Sequence, residues 1–122
     1  MTKTEIVAAM SVAYGVAYVD GMNDDETGML VKEIKAYKFS NDPQQVQEVI
    51  DRYKQMSIRE AINIIAEADE AARKEAHALT LYAMCADGEA SEKEQGAFKL
   101  MKDICNFPPI ADLAEAKSIL GF

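Results

Sequence analysis

The 122-residue sequence predicts an all-α fold of about seven helices, packed as a compact bundle of two pseudo-equivalent halves. Three observations predict it. The dipeptide Asp-Gly occurs twice in the same setting, in Tyr18-Val19-Asp20-Gly21 and in Cys85-Ala86-Asp87-Gly88. Each copy follows an apolar stretch and precedes an acidic segment that opens an amphipathic helix. Apolar residues recur at helical spacing between capping signals along the chain. Alternating strands of useful length are absent, β-branched runs are few, and with only three prolines little interrupts a helix.

The first helix spans about 4–19 and is apolar on nearly every face, which marks it as central. Its apolar run, 6–19, has the length of a signal-peptide core, but Glu5 lies beside it and Lys3 is the only basic residue ahead of it. The same pattern returns internally at 76–86, so the run reads as a core helix, and it is too short to span a bilayer. Gly21 takes the left-handed position after it. Asn23 or Asp24 caps a second helix, whose Met29, Leu30, Ile34 and Tyr37 form one apolar face.

Asp42-Pro43 opens the third helix, with proline at the first helical position and Gln45 completing a pattern like a capping box. Val46, Val49, Ile50 and Tyr53 follow at helical spacing. Ser57-Ile58-Arg59-Glu60 is a capping box for a fourth helix, whose Ile58, Ala61, Ile62 and Ile65 are expected to face inward. The stripe lapses over 66–70, and Asp69 caps a fifth helix through Leu79, Tyr82, Ala83 and Ala86. Ser91 with Glu94 is a further box, opening a sixth helix that carries Phe98, Met101 and Ile104. Asn106-Phe107-Pro108-Pro109 ends it, and a seventh helix holds Ile110, Leu113, Ala116 and Leu120.

The two halves register at an offset of 67 residues: Asp20-Gly21 falls on Asp87-Gly88, Asp24 on Ser91, Asp25 on Glu92, Val31 on Phe98 and Ile34 on Met101. Apolar faces and acids therefore align. The helices at 6–19 and 76–86 are expected to cross at the centre of one domain covering 1–122.

Composition narrows function. With 21 acids against 13 bases the chain carries a net charge of −8, which repels phosphate backbones and disfavours nucleic acid. It would attract cations or basic partner surfaces. Cys85 and Cys105 do not make a disulfide framework and read as two small buried side chains of a cytoplasmic protein. One histidine, His77, and no Cys-x-x-Cys leave zinc without a ligand set. The seven methionines fall mostly in apolar stripes, as at Met10, Met29, Met84 and Met101, and read as packing; Met22 in the first turn is the exposed one. No phosphate loop or nucleophile motif is present, and the chain reads as a non-enzyme.

The two turns, and above all Ala86-Asp87-Gly88-Glu89-Ala90-Ser91-Glu92-Lys93-Glu94, resemble the tellurite-resistance TerB-like family. The resemblance covers about 6–119. It implies an all-helical bundle with pseudo-twofold halves, and acidic loops proposed to bind divalent cations. Where the second motif has Glu94 the first has Thr27, with Glu26 one place earlier.

The turn carboxylates have two readings. Each sits at the C-terminal end of a helix, where an anion is unfavourable, and can offset that by accepting N–H bonds from the residues that open the next helix. Alternatively they bind a divalent cation, calcium, magnesium or manganese, through Asp20, Asp24, Asp25 and Glu26 in one turn and Asp87, Glu89, Glu92 and Glu94 in the other. The spacing is not that of an EF-hand. The expected function is thus a non-catalytic acidic interaction module with a protein partner, linked by the resemblance to stress or tellurite resistance; the alternative is divalent-cation binding.

Overall fold

The computed structural model describes residues 2–17, 19, 42–85 and 90–121, which form six helices and no strand. These are α1 (Lys3–Ala17), α2 (Pro43–Gln55), α3 (Ile58–Glu67), α4 (Glu70–Cys85), α5 (Glu92–Ile104) and α6 (Leu113–Leu120). The helix expected around Met29–Tyr37 and both Asp-Gly turns lie outside the described residues.

α1 is the central element. Residues 6–14 are buried without a break, as are Val16 and Ala17. An apolar helix with no polar face has to be enclosed on all sides, and α1 packs most extensively on α4 and α3, with α2 and α5 also against it. α4 supplies Ala76, Ala78, Leu79 and Ala83 to the same core. α3 adds Ala61 and Ile65, α2 adds Val49, and α6 adds Ala116 and Leu120. The small side chains shared by α1 and α4 leave room for close helix approach, while Met10, Tyr14, Ile65 and Leu79 fill the volume between elements. The expected central pair is therefore α1 and α4.

Two buried hydroxyls, Ser11 on α1 and Thr80 on α4, are satisfied within their own helix. Ser11 Oγ donates to the Val7 carbonyl at 3.0 Å, and Thr80 Oγ1 to the Ala76 carbonyl at 2.8 Å. Each satisfies a polar group that would be costly to bury alone.

The helix ends follow local chemistry. Asp42 Oδ1 accepts from the Gln44 and Gln45 amides, Ser57 Oγ from the Glu60 amide, Asp69 Oδ1 from the Ala72 amide and Ser91 Oγ from the Glu94 amide. Two caps were not expected from the sequence. Thr2 Oγ1 accepts from the Glu5 amide while Glu5 Oε1 accepts from the Thr2 amide, a reciprocal box that starts α1 at Lys3. Asp112 Oδ1 accepts from the Glu115 amide, so α6 begins at Leu113 and Ile110 precedes it. At the other end of α6, Gly121 is left-handed with φ 79° and its amide donates to the Lys117 and Ser118 carbonyls.

The repeat register extends to these ends. Shifted by 67 residues, α1 falls on α4 and the Thr2 cap falls on the Asp69 cap. The same shift brings Val49 of α2 onto Ala116 of α6, both fully buried. α6 packs on α4 as α2 packs on α1.

Two expectations of burial, at Ile58 and Cys85, are corrected. Ile58, the first residue of α3, is 43% exposed because it lies at the open cleft, its Cδ1 methyl against Gly15 of α1, whereas Ala61 and Ile65 are fully buried. Ile104 is 46% exposed, since it lies at the edge of the α5 face that Phe98 and Met101 turn inward. Cys85 is only half-buried, at the last position of α4; Cys105 is fully buried, and the two are not joined by a disulfide.

Candidate functional site

Of the residues expected to hold a cation, Asp20, Asp24, Asp25, Glu26, Asp87 and Glu89 lie outside the described residues. Glu92 is exposed at the first position of α5. Glu94 is 7% exposed at its third position, with its amide donated to Ser91 Oγ at 3.1 Å. That is the position of the acid in a capping box, where a carboxylate also meets the positive end of the helix. Among the described residues no group of three or more His, Cys, Asp or Glu side chains is placed to hold a metal ion.

The single histidine ties the C-terminal segment to the core. His77 Nδ1 lies 2.7 Å from the Pro108 carbonyl, and since a carbonyl only accepts, this nitrogen carries the proton. The ring stacks on Phe107 at 5.1 Å and 11°, and tilts against Phe98 at 5.4 Å. One turn earlier on α4, Arg73 Nε donates to the Ala68 carbonyl at 3.2 Å and Nη1 to the Asn106 carbonyl at 2.6 Å. Asn106 itself is left-handed, with φ 54°. Arg73 and His77 thus anchor the chain where it leaves α5. Burial lowers the His77 pKa below the usual value, with nearby Lys102 acting the same way, against the Pro108 hydrogen bond and Glu115, which raise it. Burial pushes the Cys105 thiol up to about 11, so it is a core side chain rather than a nucleophile.

The structure also forms a cleft that no single stretch of sequence encodes. It has a volume of about 530 Å³ and lies where α1, α2, α3 and α5 converge. Ser11, Tyr14 and Gly15 of α1 line its floor. Tyr53 and Lys54 of α2, Met56 of the connection, Ile58 of α3 and Met101 of α5 form its walls and rim. Tyr53 meets Tyr14 edge-on, with centroids 5.1 Å apart and an interplanar angle of 87°. Gly15 keeps the slot open: a Cβ there would stand 3.0 Å from Ile58 Cδ1. A larger concavity of about 780 Å³ lies along α2, but that helix alone lines it, mainly with polar and charged side chains such as Gln44, Glu48 and Asp51. The convergent, largely apolar cleft is the better candidate, because binding sites are concave and mostly apolar with a few polar groups.

Apolar surface continues past the cleft. Leu100 is 55% exposed and Ile104 46%, one turn apart on α5 beside Met101 of the cleft wall. No helix among the described residues is long and apolar enough to cross a membrane.

No protein-family model matches the chain, and no curated protein matches it. Among solved structures, the chain is similar to a protein of unknown function, PG1108 of Porphyromonas gingivalis W83, with a TM-score of 0.78 at 20% identity. The match covers 100% of this chain and 91% of that one. At that identity the likeness shows a shared fold, the all-α bundle described above.

Proposed function

We propose that this protein is a non-catalytic binding module that docks a protein partner on the apolar surface running from the cleft to the outer face of α5. The observation that carries the reading is the exposure of Ile58, Leu100 and Ile104, at 43%, 55% and 46%. One such side chain on a surface is ordinary, but Ile58 lines the cleft and Leu100 and Ile104 flank its Met101 on α5, and together they are the kind of apolar surface that marks an interface. The net charge of −8 favours a partner whose rim is basic. The resemblance to the tellurite-resistance family adds a stress-response setting to the same reading, and two cysteines outside any disulfide add a cytoplasmic one.

A photoreactive residue at position 104 tests it in cells. The expected result is one covalent protein adduct, whose purified partner binds the parent chain and loses binding to the Leu100→Asp variant. Leu100 is exposed, so its replacement spares the fold. No adduct, or binding indifferent to Leu100→Asp, would overturn the reading.

A further inference from the structure

We propose that the cleft over Gly15 is a binding site for an amphiphilic carboxylate, an alkyl or aryl chain with one anionic head. This site occupies the cleft end of the proposed docking surface, goes beyond protein docking and is read by a separate measurement.

Beyond its first turn, Gly15 is the one exposed residue of α1, set between Tyr14 at 1% and Val16 at 0% exposure. The core helix is thus open to solvent at the base of a slot walled by Tyr53, Met56, Ile58 and Met101. Its volume of about 530 Å³ lies within the range of about 300–1,000 Å³ common to small-molecule sites. The polar side chains of the described lining are Ser11, Tyr14, Tyr53 and Lys54. The Ser11 hydroxyl proton is committed to the Val7 carbonyl.

Charge selects the head group. The chain holds 21 acids and 13 bases, yet the described lining contains no carboxylate and one charge, the Lys54 ammonium. Lys54 is exposed at the rim, where an anionic head can meet it while remaining hydrated. A cationic head would meet the like charge of Lys54 there. Tail burial supplies most of the affinity, because an exposed ion contact adds little.

Decanoate, below its aggregation concentration, is the probe, read by methionine-methyl NMR and thermal melting. Saturable shifts are expected at Met56 and Met101, with a rise in melting temperature. Octanoate should bind about fifteenfold more weakly, from about fourfold per methylene. Lys54→Gln should weaken decanoate by about two- to fivefold without changing the unliganded melting temperature. Decyltrimethylammonium should bind the parent more weakly than decanoate, and Lys54→Glu should reverse that order. Absence of saturable shifts at Met56 and Met101 would overturn the proposal. So would equal binding of the two head groups by the parent. The position-104 cross-link is a separate readout, so loss of one result leaves the other standing.

Discussion

The Cδ1 methyl of Ile58 closes over Gly15, 3.0 Å from where a Cβ on that residue would stand. Ile58 is 43% exposed and its methyl is the far end of a flexible side chain, so it can turn away. Gly15→Ala should therefore keep most of the helix gain of about 0.5–1 kcal/mol and melt at or slightly above the parent. Decanoate should bind it more weakly, because the added methyl takes up space at the floor of the slot. Gly96 of α5 supplies the control: nothing lies within 4 Å of its added Cβ. Gly96→Ala should stabilise by about 0.5–1 kcal/mol with binding unchanged, checked by denaturant titration. A loss of more than 1 kcal/mol in Gly15→Ala would show that Ile58 is held rigidly.

His77 predicts a direction of pH dependence. Its folded-state pKa is lowered by burial, so the native state favours the neutral ring. The stability this protects is fully present above the unfolded value of about 6.5 and is lost as pH falls through the folded value. The parent should therefore lose stability below pH 6.5 more steeply than His77→Phe. At pH 7.5 that variant should itself be less stable, by about 1–3 kcal/mol, since the Pro108 carbonyl loses its donor. Equal acid slopes for the two proteins would refute the assignment.

Arg73 holds the Ala68 and Asn106 carbonyls with separate nitrogens of one planar group. A lysine ammonium cannot reproduce that spread. Arg73→Lys should cost about 1–2 kcal/mol, measured by urea unfolding. Asn106→Gly should be tolerated at φ 54°, whereas Asn106→Val should be destabilised by more than about 1 kcal/mol.

The acidic turns separate docking from cation binding. Under the docking reading, titration with calcium, magnesium or manganese gives no heat, and Asp87→Asn melts as the parent does. A metal-dependent rise in melting temperature that Asp87→Asn abolishes would instead place a cation there.

What the sequence determined by itself is what neighbouring residues decide among themselves. Asp42, Ser57, Asp69 and Ser91 cap helices because each reaches amides two or three residues ahead. The box at Thr2 and Glu5 was legible by the same rule, but it lies ahead of the apolar run that marked α1. The unbroken apolarity of α1 fixed its central place, since such a helix has no face to give to water. Tertiary structure alone decided which positions at the margins of a stripe are covered. Ala61 and Ile58 belong to one periodic face, yet Ala61 is fully buried while Ile58 is 43% exposed. It alone brought Pro108 to His77, 31 residues away in sequence, and Asn106 to Arg73. The cleft is the clearest case: Gly15, Tyr53, Ile58 and Met101 lie on four helices, and no local pattern records that they meet. Local order is set by bonds within a turn, whereas a site is set by which turns the packed core brings together.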